Sequence, residues 1–311
     1  MLKRKALRKI AITTFVMFIL LTIYFIPSKN KNSIENIKYQ YSSPRDISIY
    51  LINDCEQLTK VDFQINEKSL LELSKNIINK LTINNNILIP NGLTQLIPKN
   101  VKLIDIRIDE GIVYLNFSKE FLEIDNEKIE MVVESISYSL FSVNEITGVS
   151  IYVQNENIST LFPKNIPSII TRKYGINRRF ELKNLIDISK IVIFYIDNID
   201  DETYYVPITK YVNDKREKIK IIIDELSSNY IYESNLITLL DKNIKLIDYK
   251  INDDQMFLNF NNSIFINQDS IVEEVVYSIS YSVFSSYDQI EEVVFLANNE
   301  EILKKSKKDI E

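Results

Sequence analysis

The sequence predicts an α+β fold built twice: two tandem β-α-β-β-α-β sandwich domains, each a small mixed sheet with two helices on one face, behind an N-terminal transmembrane helix. Three observations predict it. A block of the chain recurs at a fixed offset. Strand-like runs and helical stripes follow in the same order in both copies. A basic segment precedes a long uncharged run at the N-terminus. The recurrence is direct: Lys99-Asn100-Val101-Lys102-Leu103-Ile104-Asp105 returns as Lys242-Asn243-Ile244-Lys245-Leu246-Ile247-Asp248, an offset of 143 residues. Solenoid repeats recur every 20–50 residues or so, so this longer period marks a duplicated domain. A chain of 311 residues accommodates two domains of about 100–200 residues each.

At the N-terminus Lys3, Arg4, Lys5, Arg8 and Lys9 precede the uncharged run Ile10 to Ile26. Its length sits at the lower edge of a membrane span of about 17–25 residues. No small-residue cleavage site follows, so a retained anchor is expected rather than a cleaved signal. Residues 1–9 form the cytoplasmic basic segment, 10–27 the anchor and 28–45 a polar tether. Positive charge stays on the cytoplasmic side, which places the bulk of the chain outside the cytoplasm.

The first domain, 46–155, opens with the β-branched and aromatic strand Ile47 to Ile52. A helix follows, with Asn66 as its expected N-cap and Leu70, Leu73, Ile77 and Leu81 as its stripe. Lys102 to Ile108 and Ile112 to Phe117 then flank Asp109-Glu110-Gly111 as a hairpin. A longer helix, Asn126 to Val143, carries Ile129, Val132, Val133, Ile136 and Leu140 on one side, and Val149 to Val153 closes the unit as a strand. The second domain, 190–303, repeats the order: strand Ile191 to Ile196, a helix capped by Asn213, a hairpin turning at Asn252-Asp253-Asp254, the stripe Val272, Val275, Val276, Ile279 and Val283, and strand Val293 to Ala297. Residues 156–189 read as a solvated linker and 304–311 as a charged, frayed tail.

Composition excludes several chemistries. There is no histidine, which removes Ser-His-Asp and Cys-His nucleophile systems. The lone Cys55 permits neither a disulfide within one chain nor a cysteine-based zinc cage, and reads as an inert small apolar residue. Four scattered glycines build no phosphate-binding loop. A net charge of −6 without a basic domain argues against nucleic acid. Ser118-Lys119 reads as a solvated strand end rather than a catalytic pair, because adjacent strand residues point to opposite faces. Asp197, Asp200, Asp201 and Glu202 lack EF-hand spacing and read as a loop. No catalytic, metal or cofactor-binding residue is expected.

Leu96-Ile97-Pro98-Lys99-Asn100-Val101-Lys102-Leu103, followed by Asp109-Glu110-Gly111-Ile112-Val113-Tyr114-Leu115-Asn116-Phe117-Ser118-Lys119-Glu120-Phe121, resembles the central signature of the GerM domain family. The resemblance covers Ile47 to Val153 well and Ile191 to Ala297 more weakly. It departs in three ways. No cysteine stands where family lipoproteins are lipidated. A Gly-Pro pair that often follows the first family helix is absent. In the second copy Gly92 becomes Asn235, Pro98 becomes Asp241 and Gly111 becomes Asp254, so the same fold is expected there with different turns. The resemblance implies a role in sporulation or germination. It also implies kinship with ring-building modules of secretion machines, as part of a channel between mother cell and forespore.

Two clusters are candidates for contact with other molecules. Ser135, Tyr138, Ser139 and Ser142 share a helix face, repeated by Ser278, Tyr281, Ser282 and Ser285. Small residues permit close approach and tyrosine offers amphipathic area, so this face either packs inside the chain or forms a subunit contact. In the linker, Arg172, Arg178 and Arg179 stand with Lys173 and Lys183 as either a solvated stretch or a docking patch for an acidic partner. The leading expectation is a non-enzymatic membrane-anchored assembly protein. It would be homo-oligomeric, closing head to tail into a ring, and partnered by other envelope and sporulation-channel proteins. The alternative is an extracytoplasmic binding module for peptidoglycan or a peptide, which an aromatic groove would favour.

Overall fold

The computed structural model describes residues 9, 12–18, 45–67, 69–84, 86–162, 164–228, 236–266 and 270–309. Of the expected anchor, residues 12–18 are helical with exposed side chains; its remainder and nearly all of the tether lie outside the described residues. Among the described residues no helix is long and apolar enough to cross a membrane.

The first copy runs β1 (Arg45–Asn53), β2 (Leu58–Ile65), α1 (Leu70–Leu81), β3 (Leu93–Thr94), β4 (Leu103–Asp109), β5 (Ile112–Phe117), α2 (Ile129–Phe141), β6 (Gly148–Val153) and β7 (Glu156–Asn157). After β8 (Arg179–Glu181) the second copy runs β9 (Ser189–Ile199), β10 (Glu202–Val212), α3 (Lys218–Ser227), β11 (Leu246–Asn252), β12 (Gln255–Phe260), α4 (Glu273–Ser286), β13 (Glu292–Ala297) and β14 (Glu300–Ser306). Each copy therefore holds a strand the sequence reading lacks, β2 and β10. Each pairs along its whole length with the strand before it, forming a hairpin.

This changes the architecture. Two four-stranded sheets, β4-β5-β6-β7 and β11-β12-β13-β14, are mixed, with β5 parallel to β6 and β12 parallel to β13; each holds three of the four expected strands and lacks the first one, β1 or β9. The long helices α2 and α4 make the crossovers that parallel neighbours require. The hairpins do not join these sheets. They meet each other at Tyr205 opposite Lys60 and form one six-stranded sheet spanning both copies, ordered β3-β1-β2-β10-β8 with β9 also on β10. Helix α2 packs on β1 as well as on β6, so the helices are covered on two sides rather than lying on one face of a single sheet. Burial around nearly the whole of α2 follows, including Glu134 and Ser137 opposite the apolar stripe.

The apolar stripes fill these layers. Ile129, Val133, Ile136 and Leu140 are fully buried with Ile49, Leu51, Leu115, Phe117 and Ile151 in one core; Ile279, Val283, Ile193, Leu258 and Phe295 do the same in the other. Burying each such side chain contributes roughly 1.5–3 kcal/mol. The hairpin turn lies where expected: Glu110 and Gly111 take φ of 47° and 77° between β4 and β5, the two-residue turn whose twist matches its strands.

Local starts differ from expectation. Ser69, not Asn66, caps α1, accepting from the Glu72 N–H at 3.1 Å. Asn213 caps no helix; its Oδ1 accepts from the Lys183 and Asn184 N–H groups. The linker is solvated only in part: Ile158, Phe162, Ile166, Ile170 and Ile176 are buried, whereas residues 183–188 are exposed. Nor is the tail frayed up to residue 309, because Glu300–Ser306 pair with β13 and Lys307 N–H reaches Glu291 O at 2.9 Å.

Candidate functional site

The repeated serines act on strand edges. Tyr50 N–H and C=O point away from β2, at an edge that β3 covers only at Ile52 and Asn53. Ser139 Oγ accepts from Tyr50 N–H at 2.9 Å and Ser135 Oγ donates to Tyr50 O at 2.7 Å. Helix α2 thus supplies the hydrogen bonds a neighbouring strand would give, and serine is small enough to let it approach. The second copy repeats the device. Ser282 Oγ accepts from Phe194 N–H at 2.9 Å and donates to Ser278 O at 2.6 Å, while Ser286 accepts from Val192 N–H. Ser135, Ser139, Ser278 and Ser282 are buried, so these four cannot form the outward subunit face that was one of the two expectations. The serines between them differ. Ser137 and Ser280, equivalent at the 143-residue offset, each bury a hydroxyl with no partner among the described residues.

Two of the three linker arginines fasten parts of the chain together, Arg178 half-buried and Arg172 still exposed. Arg178 Nε lies 2.7 Å from Glu134, a second nitrogen lies 3.1 Å from Glu130, and its guanidinium sits over the Tyr174 ring. Asn177 N–H donates to the other Glu134 oxygen at 2.8 Å. Burial pushes the Glu134 carboxyl up to about 7, against the pull of Arg178. Arg172 donates to the carbonyls of Phe141, the last residue of α2, and of Ile146 beyond it, where a cation also suits the helix dipole. Arg179 is half-buried in β8 against β10.

Asn177 carries a role that the sequence reading missed. Its amide donates to Leu58 O and to Pro207 O, both at 2.8 Å, and its Oδ1 accepts from Leu58 N–H at 2.9 Å. One side chain therefore stitches β2 of one copy to β10 of the other. Its φ of 47° falls in the region asparagine tolerates better than most residues. Gly175, at φ 88°, has no room for a side chain, because a Cβ would meet Thr209 Cγ2 at 2.9 Å. A glycine and an asparagine two apart in a supposed linker were the available signal.

Beside this seam opens a cleft of about 740 Å³, within the usual range for small-molecule sites. Equivalent residues of both copies line it: Tyr138 with Tyr281, Phe141 with Phe284, and Ser142 with Ser285. Arg172 lines it too, so five of the residues singled out in the sequence converge here. Tyr138 donates to Arg172 O at 3.0 Å and lies edge-on to Tyr50 and Phe141. Tyr281 stacks on Phe194, and Lys60 of the first copy reaches its hydroxyl at 2.7 Å. Burial pushes the Tyr50 and Tyr138 hydroxyls well above the ordinary phenol range, so both stay protonated. Six cations line the cleft, namely Lys60, Arg172, Lys173, Lys190, Lys218 and Lys307, against the single acid Asp288. Lys190 donates to Arg172 O at 2.8 Å, and burial lowers its ammonium to about 8.

Among the described residues no group of three or more His, Cys, Asp or Glu side chains could hold a metal ion. Ser118, once weighed as half of a Ser-Lys pair, accepts from Lys102 N–H at 3.0 Å and starts a short helical turn. Asp197 accepts from Asn53 Nδ2 at 2.7 Å, while Asp200 and Asp201 make a left-handed turn between β9 and β10.

These features define a class: an internally duplicated α+β protein whose copies share one sheet and enclose a cleft between them. Residues 22–159 and 192–303 match the family described as Germane, sporulation and spore germination, and the chain belongs to that family. Over 202 residues it is 29% identical to the spore germination protein GerM of Bacillus subtilis (strain 168), a match covering 62% of this chain and 55% of that protein. It thus spans about half the length of that relative. The tandem GerMN domains of the sporulation protein GerM from Bacillus subtilis share the fold, with a TM-score of 0.74 at 24% identity, over 83% of this chain and 92% of theirs.

Proposed function

We propose that this protein is a non-enzymatic assembly protein of the spore envelope. The uncharged run at 10–26 holds it in a membrane, with both domains outside the cytoplasm, in an oligomeric complex between mother cell and forespore. The observation that carries this reading is the family match over both copies. The shared sheet supports it, since it makes the two copies one body that presents surfaces to partners. Following a fluorescent fusion through sporulation, alongside a deletion strain, tests the proposal. Signal at the forespore boundary with a defect in spore formation or germination is expected. Uniform labelling of vegetative membrane with normal spores would remove it.

One observation favours a second reading, an extracytoplasmic binding module: the cleft has aromatic walls, Tyr138, Phe141, Tyr281 and Phe284 among them. Retention on purified cell wall, abolished when the cleft is altered, would decide for that reading.

A further inference from the structure

The charge in the cleft is not balanced by the described residues. Lys60 pairs with Asp62 at 3.3 Å and Lys307 with Glu291 at 3.8 Å. Arg172, Lys173, Lys190 and Lys218 form no ion pair with a described carboxylate. Three of these four are instead held in place by neutral carbonyls: Arg172 on Phe141 O and Ile146 O, Lys190 on Arg172 O, and Lys218 on Ser286 O at 3.1 Å. Against these four positive charges stand Asp288 and the C-terminal ends of α2 and α4, each end worth roughly half a negative charge. About two positive charges therefore remain uncompensated in a chain that is acidic overall. Side chains fixed by backbone acceptors keep their charge and their position without a protein counter-ion. Lys190 and Lys218 are half-buried while Arg172 and Lys173 stay open to solvent, and like charges gathered in a concave site raise the local concentration of an anion. The surrounding rings give such an anion an apolar wall, and the Ser285 hydroxyl is exposed there.

We propose that the cleft between the two copies binds a small organic dianion, a molecule carrying two carboxylates or a phosphate ester, with its charges on Arg172, Lys190 and Lys218 and its apolar body against Tyr138 and Phe284. Neither the family match nor membrane attachment enters this inference, which goes beyond the function proposed above. A failure of localisation would leave it standing, and a failure of anion binding would leave the envelope role standing. The cavity is too small for a folded partner domain. The fixed lysines also distinguish it from a surface patch, where cations are mobile and hydrated.

Isothermal titration of the full-length protein at low salt, with citrate and separately with inorganic pyrophosphate, tests it. Saturable binding at one site per chain is expected for at least one probe. Lys190→Met and Lys218→Met should each weaken it about tenfold, and Lys75→Met, on a remote helix face, should leave it within about twofold. The two probes separate carboxylate from phosphate chemistry. If Lys190→Met fails to fold, Lys190→Arg, which keeps the charge, should retain binding while Lys218→Gln weakens it. The proposal is overturned if neither anion binds at about 10 mM, or if binding ignores both lysine changes. Binding of an oligoglutamate peptide alone would equally overturn it, marking a peptide groove instead.

Discussion

Alternate serines on one helix are predicted to have opposite effects on stability. Ser135 and Ser139 of α2 satisfy the carbonyl and N–H of Tyr50, whereas the hydroxyl of Ser137 between them is buried without a partner among the described residues. Ser135→Ala bares a buried carbonyl and Ser139→Ala a buried N–H, each costing about 1–3 kcal/mol. The better helix propensity of alanine returns roughly 0.5 kcal/mol. Each single change should therefore destabilise by about 1–2 kcal/mol, and the double change by about 2–4 kcal/mol because the same peptide group loses both bonds. Ser137→Ala removes an unpaired buried hydroxyl and gains helix propensity, so it should stabilise by about 1 kcal/mol. Ser282→Ala and Ser280→Ala should repeat the contrast in α4. Urea unfolding monitored by circular dichroism gives the midpoints at unchanged slope. Neutral Ser135→Ala and Ser139→Ala, or a Ser137→Ala that destabilises by more than about 1 kcal/mol, would show that these helices are not held by backbone bonds to the strand edge.

Four further outcomes are expected. Asn177→Gly, which keeps the left-handed backbone but deletes three hydrogen bonds across the seam, should cost about 2–3 kcal/mol; Asn177→Ala should cost about 1 kcal/mol more from its positive φ, and limited proteolysis should then cut near the seam first. Arg178→Met strands the buried Glu134 carboxylate and should cost about 3 kcal/mol or more near pH 8; the loss should shrink toward pH 5, where the raised Glu134 carboxyl is protonated in the fold, as thermal melts at the two values would show. The lowered Lys190 ammonium gives the opposite pH trend to a paired lysine: between about 8 and the usual lysine value the unfolded chain holds the proton that the fold has released, so stability rises with pH there. Lys190→Met, beside Asp288, Lys218 and Lys173, should flatten that rise and melt no lower than the parent at neutral pH. Gly111→Ala should lower the melting point by an amount corresponding to about 1 kcal/mol, because φ is 77° at the hairpin turn.

The helices and the second hairpin of each copy were legible because their signals are local. The stripe from Ile129 to Leu140 has helical period, and Glu110-Gly111 marks a turn. The partner strands were not legible. Leu58–Ile65 carries Thr59 and Lys60 at buried positions, and Glu202–Val212 carries a central Pro207. Both become strands because each contributes to the sheet shared between copies, a pairing that no local pattern encodes. Pro207 is tolerated there because its seam side faces Asn177, which needs only its carbonyl. The candidate face was legible as a face, and its tyrosines and Ser285 do reach the cleft. That Ser135 and Ser139 turn instead to a strand edge depends on β3 covering that edge of β1 only at Ile52 and Asn53, which spacing along a helix cannot reveal. Lys60, Lys190 and Lys218 of the cleft were invisible for a similar reason, since β2, β9 and α3 deliver them from distant parts of the chain.

The seam between the hairpins has a consequence for how such a chain arose. Lys60 faces Tyr50 across its hairpin as Pro207 faces Phe194, and Leu58 faces Ile52 as Tyr205 faces Ile196. Exchanging the copies therefore turns the pair Lys60–Tyr205 into Pro207–Leu58, whose carbonyls Asn177 joins. This is an isologous arrangement, the geometry of a two-fold dimer written into one polypeptide. A single-copy chain pairing through the same positions would assemble only as its concentration allowed; covalent fusion removes that dependence. It also releases the halves from being identical. Glu134 could acquire its arginine while the matching position became Tyr277, and the opening on the axis could gather its lysines and arginine without having to repeat every one of them.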